Sequence, residues 1–323
     1  MKIASLFSGC GGLDLGFSNA GFKLAYANDI DKDTWETFEK NHGLEIDKRS
    51  ICSVKPSDMP DVAGFVGGPP CQSWSLAGEM RGVNDPRGKL FYEYIRLLKA
   101  KKPLFFVAEN VAGIVSKTHL PEFMKIIKEF EGVGYNISYK LVNAKDFGVP
   151  QERKRVIVVG YRKETGKTFS FPQPSPKSIA LKEALKGLPD SKPALPKNKP
   201  NEKLGIPNHE HMVGGFSTIY MSRNRRRSWD EPSFTIQAGG RHAPLHPGSA
   251  KMIKKGADDW KFEEGPYRRL SVRECARVQT FPDDFKFYYD NVAKGYKMIG
   301  NAVPVKLAEA IAKRIKRDMD SLA

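Results

Sequence analysis

Three observations predict an α/β fold with a doubly wound sheet, joined to a smaller, mostly irregular or β second domain. Short apolar runs bounded by turn residues alternate with stretches whose apolar residues recur at helical spacing. A glycine loop, Ser8-Gly9-Cys10-Gly11-Gly12, directly follows the first run, as in Rossmann-like nucleotide-binding units. From Phe171 to Pro207 the texture changes: prolines 172, 174, 176, 189, 193, 196, 200 and 207 surround one helical patch, Ile179 to Leu188. Such a stretch marks a boundary region. The sequence therefore divides into 1–170 with 286–323 for the α/β domain, and 171–285 for the second.

Taken in order, Lys2 to Phe7 reads as a strand and Leu13 to Ala20 as a short helix stopped by Gly21. Leu24 to Ala27 is a second strand, ending in Asn28-Asp29-Ile30-Asp31. An acid roughly 20 positions after a glycine loop is placed to bond ribose hydroxyls. The dinucleotide pattern is nevertheless broken, because its third glycine would fall at Asp14. A carboxylate at a helix N-terminus repels the pyrophosphate that such a site attracts. A nucleoside cofactor without phosphates, such as S-adenosylmethionine, fits better.

Asp61 to Val66 is a buried strand leading into Gly67-Gly68-Pro69-Pro70-Cys71-Gln72-Ser73-Trp74-Ser75. The glycines allow a sharp turn and the prolines fix φ on the approach to a lone cysteine. In an open α/β sheet, ligands sit outside the carboxyl ends of the strands, where this loop lies. A bare cysteine is most often a small buried thiol; inside this nonapeptide Cys71 is placed as a nucleophile. A helix follows from about Leu90 to Ala100, with Leu90, Phe91, Tyr94, Leu97 and Leu98 on its core face.

Pro103 to Ala108 is the next strand, with Glu109-Asn110-Val111 expected at its carboxyl end, at the same sheet edge as Cys71. Glu109 can simply cap a loop; beside Phe106, Val107 and Val111, desolvation would instead help it hold a proton for general acid work. A helix from Glu122 to Glu131 and strands from Ile137 to Val142 and Val156 to Tyr161 complete the sheet. Before the last strand, Gln151-Glu152-Arg153-Lys154-Arg155 alternates so that 151, 153 and 155 share a face. Two arginines aimed together suit a polar base edge or a phosphate.

In the second domain, Arg223, Arg225 and Arg227 share one face of an extended Arg223-Asn224-Arg225-Arg226-Arg227 stretch. Guanidinium groups on guanine O6 and N7 are the commonest specific base contact, although any one of these arginines can equally grip phosphate. Gln237, Arg241 and His242 can add contacts from the following turn. Ser271 and Glu274 have capping-box spacing at a helix start. His209 and His211, with no acid or cysteine nearby, read as surface residues. A C-terminal helix runs from Val305 to about Asp318.

Leu6-Phe7-Ser8-Gly9, Gly-Pro-Pro-Cys-Gln at 68–72, Glu109-Asn110-Val111, Gln151-x-Arg153-x-Arg155 and Gly300-Asn301-Ala302-Val303-Pro304 stand in the order of the C5-cytosine DNA methyltransferase blocks. Over nearly its whole length the chain resembles that family, most closely the HaeIII-type enzymes, which methylate GGCC. The resemblance implies an S-adenosylmethionine-dependent methyltransferase fold and a target-recognition domain. It implies catalytic roles for Cys71, Glu109, Arg153 and Arg155. Cofactor contacts would come from Phe7, Ser8, Gly9, Gly11, Gly12, Leu13, Asp29, Ile30, Ser50, Ile51, Pro70, Leu90, Asn301 and Val303. DNA contacts would come from Gln72, Ser73, Arg81, Arg223, Asn224, Arg225, Arg227, Gln237 and Arg241. Ser50 departs from the family, which usually carries aspartate there to contact the adenine, and Asp29 stands where glutamate is more frequent. Rival readings are a tRNA cytosine methyltransferase of the same superfamily and a non-catalytic, sequence-specific DNA-binding protein.

Composition agrees with a nucleic-acid partner: 53 Lys and Arg against 37 Asp and Glu give a formal charge of +16, which draws in the phosphate backbone. The 4 cysteines are scattered without CxxC spacing, which argues against a zinc site or a disulfide framework and suits a reducing cytosol. The N-terminus enters a strand directly, so no signal peptide is expected, and no apolar run spans a bilayer. The expected protein is a cytoplasmic monomer that needs no metal. It would act on double-stranded DNA with S-adenosylmethionine, release S-adenosylhomocysteine, and share its site with a restriction endonuclease without a stable complex.

Overall fold

The computed structural model describes residues 1–70, 89–216 and 221–322. They form two compact units: Met1–Asn143 with Lys154–Pro174 and the C-terminal segment from Leu307, and Ala144–Arg153 with Ser175–Lys306. Residues 144–153 and 286–306, assigned to the α/β domain on sequence, thus fold with the second unit.

In the first unit, β1 (Lys2–Leu6), α1 (Gly12–Asn19), β2 (Lys23–Asn28), α2 (Lys32–His42), β3 (Gly64–Gly67), α3 (Lys89–Lys101), β4 (Phe105–Val111), α4 (Leu120–Gly132), β5 (Tyr135–Asn143) and β6 (Lys154–Arg162) follow one another. Their sheet has the order β2-β1-β3-β4-β6-β5. Strands β1 to β4 pair in parallel, while β6 runs antiparallel between β4 and β5. The chain steps from β1 out to β2 and returns to lay β3 on the other side of β1. The topological switch point therefore falls at the carboxyl ends of β1 and β3, where a crevice opens in such sheets. The glycine loop and Gly68-Pro69-Pro70 both leave the sheet there.

Consecutive strand residues face opposite sides, and Phe105 and Phe106 show that both sides are covered. Phe105 packs with Phe17 of α1 and with Phe22. Phe106 packs with Phe130 of α4, Tyr94 of α3 and Tyr135. The rings lie over glycines on the neighbouring strands: Phe105 is paired with Gly64 and Phe106 with Gly160. A Cβ at either glycine would overlap the ring, so these strand glycines mark close approach rather than weakness.

The second unit is mostly irregular. Its regular elements are α5 (Leu181–Ala184), a two-residue parallel pair of β7 (Lys192–Pro193) and β8 (Glu210–His211), and a hairpin of β9 (Met252–Gly256) and β10 (Asp259–Phe262). Helices α6 (Val272–Val278) and α7 (Val292–Asn301) follow among the described residues, and then α8 (Val305–Asp320). The expected capping box is present on α6, with Ser271 and Glu274 satisfying each other's backbone N–H groups. Three expectations are corrected. The helix foreseen over Ile179 to Leu188 is a single turn. Glu109 to Val111 belong to β4 rather than following it. His209 is buried, its Nε2 2.7 Å from the Pro189 carbonyl and its Nδ1 3.0 Å from Ser271 Oγ.

Candidate active site

Glu109 stands inside β4 opposite Ile157, and Arg155 on β6 stands opposite Val111. Residues two apart on a strand share a face, so Glu109 and Arg155 are diagonal neighbours across the ladder. Arg155 Nε lies 2.8 Å from Glu109 Oε1, with both side chains nearly buried. Burial depresses the Arg155 guanidinium from its ordinary value, and the Glu109 charge opposes that shift. Glu109 is buried, and its side-chain partner is a cation that the sequence did not lead one to expect. Oε2 of Glu109 points toward the turn after β3, where a Cβ on Gly68 would stand 3.4 Å away. Asn110 Nδ2 donates to the Pro69 carbonyl at 3.0 Å and fixes the same turn against β4. Cys71 follows two residues later; with Gln72, Ser73 and Arg81 it lies outside the described residues.

Arg153 does not accompany Arg155. It is 1% exposed and belongs to the second unit. Its Nη1 donates to the Ile236 carbonyl at 2.9 Å and its Nη2 to those of Gly300 and Ala302 at 2.8 and 3.0 Å. The alternation that aims both arginines at one target holds only within a strand, and Arg153 precedes the start of β6. Its guanidinium is aimed at these carbonyls, so the expectation that it points with Arg155 toward a base or phosphate is corrected.

At the end of β1, Phe7 takes φ 57°, a left-handed conformation that is costly for a non-glycine residue. Ser8 Oγ donates to Ser5 Oγ at 3.0 Å. The Asp29 carboxylate accepts the N–H groups of Gly9 and Asp31, each at 2.7 Å, and so ties the loop to the end of β2. Gly11 has φ 88°, and a Cβ there would run into the His42 ring, whose pKa burial lowers to about 4. Gly12 and Leu13 open α1 and are buried. Ile30 beside Asp29 is 65% exposed, and nothing fills the space a Cβ would take on Gly9. A carboxylate, an apolar side chain and an open glycine turn fit a nucleoside cofactor. Ser50 caps the turn at Ile51–Ser53 through Cys52 N, Ile51 is buried, Pro70 is half-buried and Leu90 packs on the core.

Asp14, in the first turn of α1, is fully buried. Desolvation pushes its carboxyl up to about 7, partly offset by the Ser5 hydroxyl. Since this acid holds its proton more tightly folded than unfolded, its contribution is complete below the unfolded value near 3.8 and is lost as pH rises through 7. Asp14→Asn is therefore expected to stabilise the protein at pH 8 relative to pH 5, by about 3 kcal/mol at most. Urea denaturation at the two pH values measures the difference.

In the second unit, Asn301 ends α7 and is exposed, while Val303 is buried. Arg223 is exposed. Asn224 Oδ1 accepts from Arg226 N, and Arg225 is half-buried, its N–H directed at Met252 Sδ. Arg227 is held by Glu231 at 2.8 Å and Glu152 at 2.6 Å and lies over the Phe234 ring. Gln237 and Arg241 are exposed, and Arg241 Nη2 reaches the Phe216 carbonyl at 3.5 Å. Cys275 is buried, with its thiol pushed well above the ordinary range by desolvation. Sequence reasoning did not single out Gln279, a buried amide joined to Gln151 at 2.8 Å. Nothing in the local pattern links residues so far apart in the chain.

The C-5 cytosine-specific DNA methylase family matches residues 1–317. The chain is 63% identical over 326 residues to the Type II methyltransferase M.MthTI of Methanothermobacter thermautotrophicus, covering 100% of this chain and 99% of the relative. It is 50% identical over 330 residues to M.NgoPII of Neisseria gonorrhoeae, covering 99% and 96%. Among solved structures, the methyltransferase EhMeth of Entamoeba histolytica superposes with a TM-score of 0.73 at 18% identity, covering 100% and 99%. The Dnmt2 methyltransferase of S. pombe does so with 0.65 at 19%, covering 100% and 99%. These two likenesses show the fold alone.

Proposed function

The chain belongs to the C-5 cytosine-specific DNA methylase family, and from that premise we propose that it methylates one cytosine of GGCC through a covalent bond between Cys71 and C6. The observation that carries the reading is the Glu109–Arg155 pair beside the turn that leads to Cys71.

Cytosine C5 is a poor nucleophile until something adds at C6. The Cys71 thiolate forms the C6–S bond, and Glu109 supplies a proton to N3, so that the ring electrons collect at C5. S-adenosylmethionine supplies an electrophilic methyl group when bound. C5 takes that methyl as its bond to the sulfonium sulfur breaks, leaving S-adenosylhomocysteine, and N3 returns its proton to Glu109. C5 then loses its own proton to base, and the electron pair of that C–H bond restores the 5,6 double bond and expels the Cys71 thiolate. Arg155 holds Glu109 in place and offers its remaining N–H groups to the cytosine O2. C5 and C6 are stacked inside a duplex, so the cytosine is flipped out for reaction.

Asp29 and Ile30 would hold the ribose and adenine, and Ser50, Ile51 and the loop from Phe7 to Leu13 would supply the other contacts of this part of the site. Asn301 and Val303 would contact the methionine part of the cofactor. The segment 171–285 is the target-recognition region, in which at least one of Arg225 and Arg227 reads a guanine. The protein works as a monomer, and a restriction endonuclease cutting the same site is its functional counterpart without a stable complex. Incubation with methyl-labelled S-adenosylmethionine and either duplex DNA or transcribed tRNA tests the reading. Label in the duplex alone is expected; label in tRNA alone would overturn it in favour of a tRNA methyltransferase.

A further inference from the structure

Gln279 lies at the C-terminal end of α6 and is fully buried although polar. Its Nε2 donates to the carbonyls of Ile299 at 2.7 Å and Ala302 at 3.0 Å, while its Oε1 accepts from Gln151 Nε2 at 2.8 Å. Gln151 Oε1 in turn accepts the backbone N–H of Ile236 at 2.8 Å, and its backbone bridges Ser233. Arg153 closes the ring, donating to Ile236, Gly300 and Ala302. Two backbone segments, 299–302 and 233–236, are thereby joined through the side chains of Gln279, Gln151 and Arg153. Gly300 packs so closely on the backbone of Gln237 and Ala238 that a Cβ would overlap it.

The residue after Gln279 supports the same arrangement. Thr280 holds φ 63°, a conformation that persists only where its surroundings impose it. Its Oγ1 accepts from Lys306 N at 2.9 Å, and the Gln279 carbonyl accepts from Val305 N at 3.1 Å. An amide is suited to the centre of such a ring because it offers two donor N–H bonds and an acceptor oxygen together. A buried polar network of this kind is rigid when every member is satisfied and costly when one is missing.

None of these side chains need touch a ligand. One held segment carries Asn301 and leads to Val303; the other runs into Gln237 and Arg241. We propose that Gln279 is a positioning residue that couples cofactor binding to DNA binding, by forcing these two segments into a single mutual geometry. The proposal rests on the functional reading above, in which Asn301 and Val303 face the cofactor and Gln237 faces DNA. A shift that a ligand imposes on either segment is carried through this ring to the other, so each ligand raises the affinity for its counterpart by the same factor.

The test is the Kd for a GGCC duplex with and without saturating S-adenosylhomocysteine, in the unaltered protein, in Gln279→Met and in Gln151→Met. Methionine keeps much of the volume and removes both polar ends; Gln151→Met cuts the ring from the other side and serves if Gln279→Met does not fold. In the unaltered protein, S-adenosylhomocysteine is expected to tighten DNA binding about 5–150-fold, and in both variants the factor is expected to fall close to one. A residue that merely packs would lower the melting temperature and leave the factor intact. An unchanged factor in the folded variants, or no factor in the unaltered protein, overturns the proposal. Failure of the unaltered protein to bind S-adenosylhomocysteine would instead overturn the functional reading itself.

Discussion

Glu109→Gln is expected to lower kcat by about 10²–10⁴-fold, the range for loss of a positioned general acid, with a much smaller change in the Kd for DNA. Glutamine keeps the shape and can still accept from Arg155, but it has no proton to deliver to N3. The substitution also leaves a buried guanidinium without its carboxylate, 2.8 Å away in the unaltered protein. Breaking such a pair from one side costs about 3–5 kcal/mol of stability when burial is complete. The chemical and structural effects separate in single-turnover kinetics on protein shown to be folded. Pairing the change with Arg155→Met removes the orphaned charge: stability is expected to recover while the rate does not. Recovery of the rate in the double variant would contradict the acid role.

Arg153→Met has a large effect of a different kind. The carbonyls of Ile236, Gly300 and Ala302 lose charge-assisted donors in a site without water access, and each such bond is worth about 1.5–3 kcal/mol. Relief of the buried charge offsets part of that loss, so the net destabilisation is expected near 3 kcal/mol. Arg153→Lys is not expected to rescue it, because one ammonium cannot span carbonyls that a planar fork reaches together. Urea unfolding and the Kd for S-adenosylhomocysteine measure the two consequences. A normal midpoint with a lowered kcat would return Arg153 to the reaction itself.

How far the sequence disclosed this arrangement follows from the range of the forces involved. The sheet was legible because apolar strands and glycine stops are local signals, and the position of Glu109 near the turn after β3 follows from consecutive parallel strands. Its ion pair was not legible: the diagonal register of β4 with β6 depends on a pairing between segments more than 40 residues apart in the chain. Arg153 lies one residue before β6, where the alternation of strand faces does not apply. Helix α7 escaped notice because Gly295 and Gly300 lower helix propensity; both are required by close approach, of Tyr289 and Val272 in one case and of Gln237 in the other. Helix α2 has only Thr34, Thr37 and Phe38 buried, too sparse a stripe to mark an amphipathic helix. The polar ring around Gln279 is a product of tertiary structure and has no periodic trace.

The measurement that bears most directly on the central claim is bisulfite sequencing of plasmid DNA after incubation with S-adenosylmethionine and either the unaltered protein or Cys71→Ala. Protected cytosines confined to GGCC with the unaltered protein, and none with Cys71→Ala, are the result expected of a Cys71-dependent cytosine-C5 methyltransferase. Protection that persists in Cys71→Ala, or that is absent with both proteins, would contradict it.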